Sequence, residues 1–516
     1  MPDSIVERAI LAVSPAWARR RAWARAWVAH YEAATPSRAR PGKREGASGN
    51  VAVARGGRAL RELARSLEQN HDLARGVLDV LVRNTVGTGI GVEPQPRMTG
   101  RRAPINDDLA WQLSQLWRDW CRRPEVTWQH DQGAAERLMA RTWFRDGEVL
   151  AQRIKGAVPT LDHGTRVPYS VEMLEPDMLP MDLNRQAGPV TNAITMGVET
   201  NAWNRPVAFH VYKRHPGELM QIVTAADVKR MPAEAMVHLK SIDRIGQLRG
   251  VSIFASVLTR LEDIKDYEES ERVAAKIAAS MAAMIVKGAP ELYEPPTTAD
   301  GDSEPSRTMR FRPGMVFDDL RPGERVETID TSRPNPNALL WRQGQLRAVA
   351  SGTNVSYSSA AKDYNGSYSS QRQELVEQWG AYQILSHEFI SRVTRVMYED
   401  MVDMALAARL VTLPDGLDAS TVKDAVFMAP QMPWIDPKKE VESWALLEDR
   451  AYASGPEIIR KRGANPMDVL DQQARWLREK STAGVPAADA GATPAAPALA
   501  DPESDEPAAP ALEQQN

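Results

Sequence analysis

The chain has 516 residues, 43% hydrophobic and 26% charged, with a formal net charge of −4 at pH 7. That length exceeds what one hydrophobic core supports, so two or more structural units are expected, and the charge balance excludes a generally basic, nucleic-acid-coating protein. Cys121 is the single cysteine, which excludes an intrachain disulfide and a cysteine-built zinc site and fits a reducing cytoplasm; no apolar run reaches membrane-spanning length.

The N-terminus, MPDSIVERAILAVSPAWARRRAWARAW, carries arginines but no continuous apolar segment and no small-residue cleavage site, so it does not read as a signal peptide. Residues 4–34 form an amphipathic helical pattern interrupted near Pro15, in which Trp17, Trp23 and Trp27 alternate with Arg19, Arg20, Arg21 and Arg25. Such a segment either docks on its own protein or stacks on nucleic acid or an acidic partner. Residues 35–58 read as a basic loop. Residues 60–86 are strongly helical, with Leu63, Leu67, Leu73, Val77, Leu78, Leu81 and Val82 on the apolar face and a break expected at Asn70-His71-Asp72. Gly87-Thr88-Gly89-Ile90-Gly91 follows a helix and precedes an extended segment. A dinucleotide loop needs a strand before it and a helix after it, so this is expected to be a turn.

Helices are expected over 107–121 and 136–146, and a strand from Gly147. Short β-like runs then cover 169–174, 194–199, 207–212 and 236–239, with turn residues between some of them, which predicts a largely antiparallel sheet in an α+β unit.

From Arg249 to Lys287 the chain holds no proline and, after Gly250, no glycine. That predicts one helix of roughly 35 residues, about 50 Å long. Its first third is apolar at Val257, Leu261 and Ile264, its middle is rich in acids, and its last third has alanine rows at Ala274, Ala278, Ala282 and at Ala275, Ala279, Ala283. Residues four apart share a helix face, so these rows predict close approach of another helix, either inside the domain or in a copy of the chain. Residues 289–337 are rich in Pro, Gly and acids, with β candidates at 309–312 and 326–329. A helix over 338–350, the small polar stretch SGTNVSYSSAAKDYNGSYSS over 351–370, and a second long helix over 371–410 come next; broken helices follow over 440–479. The Ala/Pro-rich acidic tail beyond 481 lacks core-forming residues and is expected to be disordered.

No catalytic signature emerges. There is no G-x-x-x-x-G-K-[ST] and no H-E-x-x-H, and the eight histidines are scattered. The acids Asp300, Asp302 and Glu304 suit a solvated loop better than a cation site. Pro414-Asp415 followed by Asp436-Pro437-Lys438 resembles the carboxylate–lysine arrangement of metal-dependent nucleases, but Pro437 stands where such a site needs a strand hydrogen bond. No catalytic, cofactor or metal residue is therefore assigned, and no cofactor is expected.

Five strings together resemble the lambda-type phage portal protein family: NHDLARGVLDVLVRNTVGTGI at 70–90, VEMLEPDML at 171–179, RPVAFHVYKRHPGE at 205–218, LRGVSIFASVLTRLEDIKDYEESERVAAKIAA at 248–279 and GTNVSYSSAAKDYNGSYSSQRQELVEQW at 352–379. The resemblance implies an α+β, mainly helical portal fold with a mixed or antiparallel sheet in its wing. In chain order it implies a wing over 1–248, a stem helix over 249–288, a small clip over 289–337, a second stem helix over 338–354, a tunnel loop over 355–370, a long wing–crown helix over 371–412, a helical crown over 413–480 and a tail over 481–516. Transferred by position, Lys362, Asp363, Tyr364 and Asn365 fall in the tunnel loop, and Ala274, Ala278 and Ala282 in stem packing. It further implies a dodecameric, non-enzymatic ring at a capsid vertex, assembled in the bacterial cytoplasm, through which double-stranded DNA passes. The implied partners are the terminase large subunit, the major capsid or scaffold protein and a head–tail connector; no membrane is implied. The alternatives are a metal-dependent nuclease using Asp415, Asp436 and Lys438, or a cytoplasmic oligomeric scaffold that never meets DNA.

Overall fold

The computed structural model describes residues 14, 16–17, 46–101, 103–218, 227–280, 284–287, 324–327, 335, 337–433 and 436–483. The acidic cluster at 300–304, the β candidate at 309–312, the tail beyond 483 and nearly all of the tryptophan- and arginine-rich N-terminus lie outside these residues.

Helices α1 (Gly49–Asn70) and α2 (Asp72–Thr85) are separated at His71, whose extended backbone breaks the helix where the sequence predicted. Ser48 caps α1 by accepting from the Val51 amide. The buried face of α1 is Val53, Gly57, Arg61, Ala64 and Leu67. Leu63 lies off that row and is 44% exposed, so the expected apolar face was drawn one residue too wide. Strand β1 (Gly91–Pro94) pairs with β11 (Ala425–Met428). The glycines before it serve close approach: a Cβ on Gly87 would stand 2.8 Å from the Pro430 side chain and one on Gly89 3.0 Å from the Cα of Gly133.

Helix α3 (Asp107–Trp120) buries Trp117 and Trp120, stacked with centroids 5.0 Å apart, while Trp111 points to solvent. Helix α4 (Gln132–Asp146) is capped by Asp131 and ends at Gly147, whose φ of +88° lets the chain turn into β2 (Glu148–Lys155). Strand β2 is central in an antiparallel sheet with β3 (Tyr169–Leu174) and β8 (Met236–Lys240). A second antiparallel sheet runs β4 (Ala193–Thr195), β5 (Val198–Thr200), β6 (Pro206–Tyr212), β7 (Val228–Pro232). The single run expected over 194–199 is thus two strands. Met196 and Gly197, both with positive φ, form the tight turn that joins them.

The first long helix is shorter than expected. A 3₁₀ turn covers Ile253–Ser256, α5 spans Leu258–Ser280, and residues Met284–Lys287 form strand β9, paired antiparallel with β10 (Glu324–Glu327). Absence of glycine and proline permits a helix without requiring one. Met-Ile-Val-Lys suits a strand as well, and a partner strand decides the matter. Helix α6 (Ala338–Thr353) returns along α5, and α7 (Tyr357–Ala361) is a single short helix. The second long helix is α8 (Tyr368–Phe389) and α9 (Arg395–Ala407), joined through a π-turn at Ile390–Thr394. Gly380 does not interrupt α8. Helices α10 (Pro437–Asp449), α11 (Gly455–Lys461) and α12 (Pro466–Thr482) close the described chain.

The main core joins α2, α3, α4, the α5 root, α8, α9 and the inner face of the β2 sheet; a smaller one lies between that sheet and the β4–β7 sheet.

Candidate functional site

Helix α5 leaves the core as it proceeds. Leu258, Leu261 and Ile264 are buried, whereas Glu262, Asp263, Lys265, Asp266 and Glu269 are exposed. Its root is held twice. His71 Nε2 lies 3.0 Å from the Leu261 carbonyl oxygen, and a Cβ on Gly352 would meet Val257 at 2.5 Å, so α6 packs there backbone-close. Farther out, its supports among the described residues are α6 and Asn335 just before it. Tyr267 and Trp341 pack with ring centroids 4.3 Å apart, Arg342 pairs with Glu268 at 2.5 Å, and Glu271 accepts from the Asn335 amide at 2.9 Å. The result is a two-helix strut on which α5 exposes four acids, Glu262, Asp263, Asp266 and Glu269, and four bases, Arg260, Lys265, Arg272 and Lys276.

The stretch after α6 is more ordered than a polar loop. Val355 and Ser356 are buried, α7 packs Ala360 inward, and Glu374 on α8 accepts from Ser358 Oγ at 2.7 Å. Lys362 ends α7 in the left-handed conformation. Of the four residues assigned to a tunnel loop, Asp363 faces inward and accepts from Tyr357 Oη at 3.1 Å and from the Asn365 amide at 3.2 Å. Lys362, Tyr364 and Asn365 are exposed. Ala274 is half-buried on α5; Ala278 lies on α5 with its side chain outside the described residues, and Ala282 lies outside them altogether.

The anchorage of this strut is a buried ionic junction that the sequence reading missed. Glu148 is fully buried at the start of β2. It lies 2.7 Å from Arg249 and 3.1 Å from Arg61, both buried, and 2.9 Å from His238 Nε2, and it accepts from the Gly250 amide at 2.9 Å. Arg249 also donates to the carbonyls of Pro176, Leu179 and Met196. Burial alone would push the Glu148 carboxyl up, but Arg249, His238 and Arg61 hold it well below the ordinary carboxylate range. Burial pushes the His238 imidazole down despite Glu148. The chain is as tight as the charges: a Cβ on Gly250 would stand 2.0 Å from the Gly147 carbonyl oxygen. Arg61, Glu148, His238 and Arg249 are far apart in sequence, and no local pattern announces them.

A second buried carboxyl sits nearby without a cation. Glu136 on α4 accepts from the Ile90 amide at 2.8 Å and from the Thr394 hydroxyl of the π-turn, and burial raises its pKa to about 7.

The nuclease-like strings have a structural explanation. Asp436 caps α10 by accepting from the Lys439 amide at 3.4 Å, and Pro437 takes the first helical position, so Asp-Pro-Lys here is a helix start. Among the described residues Glu175, Asp177 and His215 could converge on a metal ion. Arg65 already stands 2.6 Å from Asp177 and 3.4 Å from Glu175, supplying the positive charge itself.

The family profile described as "Phage portal protein, lambda family" matches residues 35–385. This chain belongs to that family, which is structural and not catalytic. A probable portal protein of Halomonas phage phiHAP-1 is 23% identical over 439 residues, spanning 83% of this chain and 81% of that one. Portal protein B of Escherichia phage lambda is 24% identical over 318 residues, 56% of this chain and 59% of that one. Among solved structures, the neck of a native gene transfer agent particle, computed with C12 symmetry, aligns over 80% of this chain and 94% of that one, at 12% identity and a TM-score of 0.46. By its family the chain is a phage portal protein, and no described helix is long and apolar enough to cross a membrane.

Proposed function

We propose that the protein forms a dodecameric ring at one vertex of the head and acts as the conduit for double-stranded DNA during packaging and ejection. Membership of the portal family supports the ring, and the strut supports the conduit. The carrying observation is that α5 buries only its root and then presents to solvent the acids Glu262, Asp263, Asp266 and Glu269, matched by Arg260, Lys265, Arg272 and Lys276, so that no net positive charge builds up along it. A channel that passes DNA must not grip phosphate, and like charge opposes the counterion-releasing contacts that make DNA adhere. In this reading residues 1–248 are the wing, 249–288 and 338–354 the stem, 289–337 the clip that meets the terminase large subunit, and 413–480 the crown. Lys362, Tyr364 and Asn365 reach the lumen from the tunnel loop. The major capsid or scaffold protein and a head–tail connector are the remaining partners, and the assembled ring resides in the virion after assembly in the bacterial cytoplasm.

Light scattering with negative-stain microscopy tests the ring: particles with a central hole support it, and a monodisperse monomer at all concentrations would sink it. The alanine rows test the stem. Ala278→Leu forces bulk into a close helix contact at about 1–3 kcal/mol per contact, repeated around a closed ring. It is expected to abolish rings while leaving circular dichroism unchanged, with Ala283→Ser as the tolerated control. Rings of normal mass from Ala278→Leu would remove the alanines from the subunit contact.

A further inference from the structure

A groove of about 450 Å³ lies between β8 and the helix stretch that contains the π-turn, on the outer side of the buried junction. Its volume is in the range of small-molecule sites. Two cations face it without a carboxylate partner. Lys240 is half-buried, and its ammonium donates only to the carbonyls of Gln247, at 2.9 Å, and Leu248, at 3.0 Å. An ammonium has three N–H groups, so one is left over. Arg392, on the π-turn, makes no side-chain hydrogen bond or ion pair among the described residues, leaving its guanidinium fork uncommitted. The two charges feel each other: Lys240 is pushed below its ordinary pKa first by burial, and then by Arg392 and Arg249 against the opposing pull of Glu148. The third cation of the groove, Arg153, is already committed to Asp400 and to the Glu234 carbonyl. The one acid in the groove, Glu388, is pushed up by burial against the opposing pull of Arg392 four positions on, with which it makes no ion pair among the described residues.

Partly buried charge is normally paired, because desolvation of an unpaired ion is costly. Here half-buried Lys240 has only backbone carbonyls as hydrogen-bond partners among the described residues, and Arg392 lines the same groove from an exposed position, beside an apolar wall that includes Phe209, Met236 and Val396. We propose that this groove binds a phosphate monoester, the dianion between Lys240 Nζ and the Arg392 guanidinium and the organic group against the apolar wall. Two charges and several acceptor oxygens match the two donors better than a single carboxylate does, and a guanidinium fork takes phosphate oxygens bidentately. Nothing in this assignment depends on the ring or on DNA transport.

The test is isothermal titration of the full chain with phenyl phosphate and, separately, with inorganic phosphate. Phenyl phosphate is expected to bind saturably and more tightly than inorganic phosphate. Arg392→Gln, at an exposed position whose side chain makes no described hydrogen bond or ion pair, is expected to fold normally and to weaken phenyl phosphate by roughly tenfold or more. Lys240→Met should weaken it further, with circular dichroism checking that the loop 247–248 still folds. Glu388→Gln should tighten it by removing the groove's acid. No binding, equal affinity for the two probes, or unchanged affinity in Arg392→Gln would each overturn the proposal.

Discussion

The junction around Glu148 and the C-terminal helices α10–α12 are opposites. At the junction four ionisable side chains are buried together and paired within one chain, and two glycines let backbones cross at contact distance. In α10 and α11 no residue is buried, and in α12 only Pro466 is. Apolar residues such as Leu446, Leu470, Trp476 and Leu477 stand more than half exposed, and α11 and α12 are tied to the body by ion pairs, Arg460 to Glu93 and Asp468 to Arg118. One region is finished as a monomer; the other has apolar side chains in quantity and no core to put them in. Burial in a single chain therefore separates the parts that fold by themselves from the parts whose apolar surface is left for something else.

The comparison breaks most visibly at Glu148. Glu148→Ala would leave Arg249 buried without a counter-charge, while Arg61 keeps Asp177 at 3.1 Å, and loss of one partner of a buried pair costs about 3–5 kcal/mol. Urea unfolding should report a loss of that size; a change below about 1 kcal/mol would mean that the junction relaxes to admit water.

Glu136 sharpens the contrast within the finished region, because its carboxyl is buried with hydrogen bonds but no ion pair. Its pKa is raised from 4.5 to about 7, so its contribution is fully present below pH 4.5 and is lost as pH rises through 7. At 1.36 kcal/mol per unit this amounts to roughly 3 kcal/mol. The difference in unfolding free energy between the native protein and Glu136→Gln should therefore slope downward across that window and be flat on either side. A flat difference throughout would place the carboxyl in contact with solvent.

Much smaller effects are expected in the unfinished region. Arg118→Ala removes a half-exposed ion pair, worth about 0–1 kcal/mol. Limited proteolysis should show faster cleavage between α11 and α12 with no shift of the main unfolding transition. Trp476→Ser should move that transition by less than about 0.5 kcal/mol, since its side chain is already in water. A loss of several kcal/mol in either variant would show that α12 belongs to the cooperative fold.

These contrasts also mark what the sequence made legible. Strand β3, the break at His71 and the helices α3 and α12 follow from apolar period and from capping residues, which act within a few positions. The end of α5 did not follow, because Met284–Lys287 pairs with a strand some forty positions away. Nor did the π-turn, whose Thr394 is held by Glu136 from another helix. The assigned residues divide the same way. Lys362, Tyr364 and Asn365 are exposed, whereas Asp363 accepts from Tyr357 and Asn365. The junction stayed hidden because its members come from four separated segments, and a lone Arg or Glu in each looks like ordinary surface charge.

The π-turn at Ile390–Thr394 has a consequence for insertions and deletions. A π-turn accommodates one residue more than the α-helical turn it replaces. Deleting one residue there would restore a continuous α-helix and leave α8 facing its core, because five residues of π-turn and four of α-helix advance by nearly the same angle. Deleting one residue within α8 between Tyr382 and Phe389 would instead turn the preceding helix by about 100°, so that the positions filled by Trp379 and Tyr382 would receive Gln378 and Ala381. The π-turn is therefore a place where this helix pair can lose a residue without moving its aromatic side chains, whereas the same codon loss one turn earlier replaces an indole and a phenol by an amide and a methyl.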